Sequence, residues 1–271
     1  MPSITRVISD IHFRHPASFV RDLEGLSPLL EGVQDVVFNG DSVEMRFLED
    51  REQALRDAAT LRALCAQAGV EPTFLTGNHD PTLTETHHLD LAGGRILVTH
   101  GDLLFHGISP WSRKAHVLAA AHARELAQGD ADDWEHQLRA VKRTMRAVEH
   151  LGPKMRHAER GGATLSSFLH EIFPPWRPLL ILGCWLKTPD RAGAIAARFR
   201  PAAEFVLVGH MHWAGVWRRQ GRVVVNTGSF LPFSKALVVD IDEAGGELTV
   251  RRVERRGAAF HPGTAVARFA L

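Results

Sequence analysis

The sequence predicts an α/β protein interrupted by a helical insertion. Three observations predict it. Over the first ~100 residues, short apolar runs that end abruptly in Gly, Asn, Asp or His alternate with segments of helical periodicity. From residue 105 to 187 that alternation stops and helical patterns dominate. After Gly209 the pattern turns to paired runs around glycine turns, which reads as antiparallel β-structure. At 271 residues the chain is near the upper limit for one compact core. A core formed by 1–104 and 188–271, with 105–187 inserted as a cap, is therefore expected.

The elements justify this in order. Ile4 to Ile8 is the first strand, and Pro16 to Leu30 reads as a helix through Phe19, Leu23 and Leu26. Asp35 to Phe38 is the second strand. Glu49 to Ala68 is a helix with Leu55, Leu61 and Leu64 on its apolar side and Gly69 as C-cap. The run ending Phe74-Leu75 is the third strand and Arg95 to Thr99 the fourth. In the insertion, Ser112 to Gln128 and Asp132 to His150 are helices, the second with an apolar stripe of Leu138, Val141, Met145 and Val148. Its Arg139, Lys142, Arg143 and Arg146 form either a solvated face or a basic wall toward an anionic substrate. Leu165 to Trp185 is apolar and broken by prolines. It packs inside the insertion, or else offers an apolar mouth to a lipid or a partner. Pro189 starts a helix through Arg200, with Thr188 as N-cap. Glu204 to Val208 is the fifth strand. Ala214–Arg218 with Arg222–Asn226, and Ala236–Ile241 with Glu247–Val253, are hairpins. The tail after Gly257 is weakly structured, with Val266 to Leu271 a last edge strand.

Chemistry collects where strands end. The exits read Asp10-x-His12, Gly40-Asp41, Gly77-Asn78-His79-Asp80, His100-Gly101-Asp102 and Gly209-His210-x-His212. Each alone reads equally well as a turn. Asp10 and His12, two apart, point the same way on extended backbone. In sheets with alternating helices, the carboxyl ends of strands converge on one rim. Converged, Asp10, His12, Asp41, Asn78, His100, His210 and His212 make a nitrogen and oxygen set without thiolate. That set suits manganese, iron or zinc and not a calcium cage. It exceeds what one ion takes, so two divalent transition-metal ions sharing a carboxylate are expected, with manganese favoured. His79 is left over as a proton donor or acceptor, with Asp80 to orient it. Of the other eleven histidines among sixteen, His15 and His106 lie nearest the site in sequence.

Composition excludes several classes. Net charge is +1, which gives no global case for gripping long nucleic acid. No apolar run reaches the ~18–20 residues of a membrane span. Cys65 and Cys184 are far apart and form no disulfide framework or zinc knuckle. They suit a reducing compartment. Met1-Pro2-Ser3 leads straight into a strand without a secretory signal, so the cytoplasm is expected.

The ordered set Asp-x-His, Gly-Asp, Gly-Asn-His-Asp, His and Gly-His-x-His resembles the calcineurin-like metallophosphoesterase superfamily over about Ile4 to Phe230, apart from the insertion. The resemblance implies two facing mixed β-sheets flanked by helices, an αββα sandwich, with a dinuclear site at the sheet ends. It implies Asp10, His12 and His212 on one metal, Asn78, His100 and His210 on the other, and Asp41 bridging them. His79 would stand beside the leaving group with Asp80 as its hydrogen-bond partner. Gly40-Asp41-Ser42-Val43-Glu44, His100-Gly101-Asp102 and the long insertion are also similar to the UDP-2,3-diacylglucosamine pyrophosphatases of lipid A synthesis.

The expected function is hydrolysis of a phosphoester or pyrophosphate bond by a metal-bridging hydroxide, with Arg139, Arg143 and Arg146 contacting substrate. The substrate is then a phosphorylated small molecule or a nucleotide-lipid. In the second case peripheral membrane contact follows. The alternative of another class is a non-catalytic scaffold on the same fold. A DNA-end nuclease is disfavoured by the charge balance.

Overall fold

Period-two alternation sets the layers. The computed structural model describes residues 3–45, 51–112, 114–148 and 176–271. The strands are β1 (Ile4–Ile8), β2 (Asp35–Asn39), β3 (Glu71–Leu75), β4 (His88–Leu91), β5 (Ile96–Thr99), β6 (Phe205–Val208), β7 (Gly215–Arg219), β8 (Arg222–Asn226), β9 (Leu237–Asp242), β10 (Glu247–Arg256) and β11 (Ala259–Ala270). Val7, Val37 and Leu75 pack with Ile96, Val98, Leu207 and Val225 in one buried cluster. Their chain neighbours Ile8, Phe38 and Phe74 face a second cluster, and Leu97, Val206 and Val224 a third. Successive residues thus point to opposite faces of each strand, and the shared cluster is the seam between two facing sheets. Each fully buried aliphatic side chain there contributes roughly 1.5–3 kcal/mol.

Both sheets are mixed. One runs β11-β10-β9-β1-β2-β3, the other β4-β5-β6-β8-β7. β1, β2 and β3 are mutually parallel, as are β5, β6 and β8. The remaining neighbours are antiparallel. The helices are α1 (Arg51–Gln67), α2 (Ala115–Leu126), α3 (Trp134–Val148) and α4 (Arg177–Phe199). α1 covers the outer face of the six-stranded sheet through Leu61, Leu64 and Cys65. α3 and α4 cover the five-stranded sheet through Trp134, Leu138, Cys184, Ala192 and Ala196. α2 rests on α3 through Leu118, Val141 and Met145. This is an α/β fold of two mixed sheets flanked by helices.

Several expectations need correction. Pro16 to Leu30 is not an α-helix: only Leu23–Leu29 forms a 3-10 turn, capped by Asp22. Ser18 holds the preceding segment as a loop, its Oγ donating to Ile11 O and accepting from Val20 N. The helix expected from Pro189 instead starts at Arg177, with Pro178 in its first turn and Pro189 inside. Thr188 is an interior residue that donates to Cys184 O at 2.9 Å, not an N-cap. Lys187 and Thr188 both lie within this continuous helix. The tail is a twelve-residue strand paired along the whole of β10. Register shifts at Val250–Val253 accommodate Pro262 and Gly263, which mask its pattern in the sequence. β4, the short edge strand, was absent from the sequence reading.

The helices expected over 49–68 and 132–150 extend in part outside the described residues, as do Phe168, Ile172 and Phe173. Among the described residues, no helix is long and apolar enough to cross a membrane.

Candidate metal centre

All five exits open at the carboxyl ends of parallel strands: β1, β2 and β3 in one sheet, β5 and β6 in the other. Asp10 and His12 do not converge by extended backbone, as the spacing predicts. Both are left-handed, with φ of 53° and 49°. Asp41, His210 and His212 are left-handed too, at 52°, 63° and 55°. Such conformations cost of order 1–3 kcal/mol each and gather at functional sites. They turn each side chain back over the strand ends.

The side chains meet in two groups that share Asp41. Asp10, His12, Asp41 and His212 offer donor atoms within 4.8 Å of one another, and so do Asp41, His100 and His210. His212 Nε2 lies 3.2 Å from Asp10 Oδ1 and 3.1 Å from His12 Nε2. Asp41 Oδ2 stands 3.6 Å from His12 Nε2 and 3.3 Å from His100 Nε2, which places it between the groups. Asn78 Oδ1 is 3.3 Å from His100 Nε2 and extends the second group. The structure thus gathers all seven expected ligands.

A surrounding shell fixes their orientation. His100 Nδ1 lies 2.9 Å from Asn39 O. A carbonyl only accepts, so Nδ1 carries a proton and Nε2 is the atom turned inward, where a metal would displace its proton. His210 Nε2 lies 3.1 Å from Ile108 O by the same logic, leaving Nδ1 as its ligating atom. Asp10 accepts from the backbone N–H of His210, and Asp41 Oδ1 accepts from that of His79 at 2.7 Å. Gly77 is required here, because a Cβ on it would overlap the Asp41 carboxylate.

Asp80 and His79 are arranged differently from the expectation. Asp80 accepts from the backbone N–H groups of Gly77 at 2.6 Å, Ser42 at 2.7 Å and Asp41 at 3.1 Å. Its carboxylate fastens the β2 exit to the β3 exit and does not orient His79. That role falls to Glu44, whose Oε2 is 2.7 Å from His79 Nδ1 and 3.8 Å from His12 Nδ1. Glu44 is fully buried and had no role in the sequence reading, although it sits three residues after Asp41.

The three arginines each have a partner within the protein. Arg139 lies 3.6 Å from Asp133, Arg143 2.7 Å from Glu125 on α2, and Arg146 2.9 Å from Pro81 O and 3.2 Å from Glu85. Their helical stripe faces acidic partners, which removes the reading as a basic wall over the metal groups. Lys142, from the same stripe, is buried instead and pairs with Asp102 at 2.5 Å. Of the other histidines, His15 packs edge-on to His12, and His106 stacks on His122.

Charge balance tests whether metal ions fit. Asp10, Asp41, Glu44, Asp80 and Asp102 are all at most 1% exposed. Lys142 is the one lysine or arginine buried against them among the described residues. Burying uncompensated carboxylates is costly. Burial by itself raises the Asp41 carboxyl, yet the imidazoles of His100, His79 and His12 hold it well below the usual range. Burial likewise opposes the lowering of Asp10, which His212 and His100 bring about. His100 is pushed up to about 10: burial opposes this, but Asp41, Asp10 and Asp102 outweigh it. His12 and His210 are pushed down to about 4, chiefly by burial. Asp80 is pushed up to about 7 by burial and then by Asp41. The buried carboxylates outnumber the buried cations, and the proton that Asp41, Asp10 and Asp102 hold on His100 marks the place a divalent ion would take, so divalent ions fit the cluster. The nitrogen and oxygen donors suit a transition metal, and both cysteines are buried in other clusters.

No family model and no curated protein matches the chain. Solved structures do. One is a conserved uncharacterized protein, titled a predicted phosphoesterase, from Streptococcus pneumoniae TIGR4. It is 16% identical, with 100% of this chain and 99% of that chain covered at a TM-score of 0.43. Vacuolar Protein Sorting 29 from Cryptosporidium parvum is 10% identical, with 100% and 99% covered, at 0.44. Wild-type Vps29 complexed with zinc, from Entamoeba histolytica, is 14% identical, with 98% of each covered, at 0.41. At these values the likeness adds nothing to the reading of the site.

Proposed function

We propose that the chain is a dinuclear-metal hydrolase of phosphoester or pyrophosphate bonds, of the calcineurin-like metallophosphoesterase superfamily. The observation that carries this reading is the sharing of Asp41 between two donor groups built from five strand exits. Asp10, His12 and His212 would hold one ion, Asn78, His100 and His210 the other, with Asp41 common to both. Manganese is favoured, with iron or zinc as alternatives. When bound, the ions would supply Lewis acidity toward a phosphoryl oxygen and lower the pKa of a water toward neutrality.

The chain's own groups account for the rest. His79, anchored at Nδ1 by Glu44, uses Nε2 to protonate the departing oxygen. Glu44 stabilises the positive charge on the ring whenever His79 is protonated. Asp80 holds the β3 exit against the β2 exit so that Asn78 and His79 stay in register with Asp41. No side chain needs to act as nucleophile. We place the core in 1–104 and 188–271 and the cap in 105–187, with α4 running from one into the other, and the protein in the cytoplasm.

A second reading has its own support. Trp176, Leu179 and Leu186 of α4 are 66%, 70% and 59% exposed, and Trp185 of the same helix donates to Met211 O between the two histidines of Gly-His-Met-His. An exposed apolar face on a helix that also contacts the Gly-His-Met-His turn favours a nucleotide-lipid pyrophosphatase of the UDP-2,3-diacylglucosamine type, touching a membrane peripherally. A non-catalytic scaffold is disfavoured, because the donor set is complete. The net charge of +1 disfavours long nucleic acid. The test is elemental analysis of manganese-reconstituted protein together with a substrate panel of phosphomonoesters, phosphodiesters and a UDP-linked acylated sugar. Two ions per chain and metal-dependent turnover are expected. Two ions without turnover would favour the scaffold, and fewer than two would refute the dinuclear reading.

A further inference from the structure

One helix ties down both ends of the turn that carries Asn78, His79 and Asp80. On α3, Lys142 donates from Nζ to Thr76 O at 3.0 Å. One helical turn later, Arg146 donates from Nη2 to Pro81 O at 2.9 Å. Thr76 immediately precedes Gly77, and Pro81 immediately follows Asp80. Lys142 also donates to Asp102 Oδ2 at 2.5 Å, two residues beyond His100. Lys142 and Asp102 are 2% and 1% exposed.

A single buried ammonium therefore joins the β3 exit of one sheet to the β5 exit of the other. Those exits carry Asn78 and His100, whose Oδ1 and Nε2 are 3.3 Å apart. Docking of α3 does not require this arrangement. Leu138 already packs it on the five-stranded sheet, and Val141 and Met145 pack it against α2. A buried ion pair contributes little to stability compared with a well-packed apolar pair, so its placement calls for another account. Groups behind metal ligands orient them, and their loss typically costs 10–100-fold in metal affinity.

We propose that Lys142 and Arg146 are positioning residues of the metal centre, α3 setting the spacing of Asn78 against His100 and the stance of His79. This rests on the dinuclear reading above. The helix placed in the cap is then part of the site's frame: Lys142 governs the affinity of the ion on the Asn78, His100 and His210 side, and Arg146 governs proton delivery by His79.

The test is manganese titration of wild type, Lys142→Met, the double variant Lys142→Met/Asp102→Asn, and Arg146→Ala, each with a thermal unfolding scan. In Lys142→Met one ion should bind about 10–100-fold more weakly while the other is unchanged. The double variant removes the charge left alone on Asp102, so it should unfold near the wild-type temperature yet keep the weakened ion. It decides the matter if Lys142→Met does not fold. Binding of both ions at wild-type affinity by either Lys142 variant overturns the inference. Arg146→Ala should keep both ions and lower kcat with little change in KM, with partial recovery in Arg146→Lys. An unchanged kcat overturns its part. If wild type itself binds fewer than two ions, the dinuclear reading falls and this inference falls with it. If wild type binds two and the variants match it, only the inference falls.

Discussion

Replacing Glu44 by Gln isolates what one buried negative charge does for His79. Glu44 Oε2 lies 2.7 Å from His79 Nδ1. A carboxylate only accepts, so Nδ1 carries the proton, and on the proposed mechanism Nε2 would exchange one with the departing oxygen. Gln keeps the shape of Glu but presents one oxygen and one NH2. It therefore permits the wrong ring tautomer and no longer stabilises the imidazolium. A hydrogen bond to a charged group contributes about 1.5–3 kcal/mol net. At 1.36 kcal/mol per decade that is about a 10- to 150-fold loss in kcat. The loss should depend on the leaving group. It should be full on an alkyl phosphodiester, whose departing oxygen needs a proton, and small on bis(p-nitrophenyl) phosphate, whose p-nitrophenolate leaves without one. The assay is steady-state kcat and KM on both substrates, with bound metal counted in each preparation. An equal loss on both, or a loss that tracks a missing ion, would refute the proton-transfer reasoning. It would instead assign Glu44 to metal retention through His12, whose Nδ1 is 3.8 Å away.

Three more outcomes are expected. Asp41→Asn should lose one metal equivalent, read by elemental analysis, and more than about 100-fold in kcat, since it belongs to both donor groups and exceeds an outer-shell partner in effect. Gly77→Ala places a Cβ on the Asp41 carboxylate, which the His79 N–H holds in place. Overpacking of this kind costs about 1–3 kcal/mol, a fall of about 2–12 °C in Tm on a thermal scan. His87 and His122 are pushed down to about 4, chiefly by burial. Between about pH 6.5 and pH 4 the unfolded chain binds more protons than the folded one, so this stability is present above pH 6.5 and is lost as pH falls toward 4. The urea midpoint of metal-free protein should drop across that window, because His87 and His122, with His12 and His210 shifted the same way, outnumber Asp80, which is pushed up to about 7 and acts oppositely; a flat midpoint would contradict it.

The site was largely legible because its information is local. A ligand-type residue directly after an apolar run marks a strand exit, and parallel strands bring exits to one rim without further instruction. What escaped depends on distant partners. Glu44 and His79 are 35 residues apart, and the sequence offers Asp80, next to His79, as the nearer anion. Asp80 is consumed by three backbone N–H groups, and two of them, on Asp41 and Ser42, reach it only once β2 and β3 lie side by side. Lys142 left a signal: it follows Leu138 by four positions, on the face that the apolar stripe buries, but nothing local announces Asp102 opposite it. Two prolines of α4 mislead in the sequence. Pro178 reads as a breaker and Pro189 as a start, yet one is a first-turn residue and the other lies within the helix.

The residue types at the exits answer two demands at once. A chain leaving a strand must turn back sharply if its side chain is to hang over the sheet's end, and five of the ligands do so with left-handed backbone. Asp and His are among the non-glycine residues that enter that region most readily. They are also the types that donate to a divalent transition metal. Valine or isoleucine at Asp10, His12, Asp41, His210 or His212 would lose the donor and also resist the turn. Glycine would make the turn and lose the donor. The conformational strain and the unbalanced carboxylate charge thus fall on the same few residues, between two sheets whose shared core is well packed. The rigid seam holds the strand ends in place, and divalent cations bound there would offset the charge that gathers.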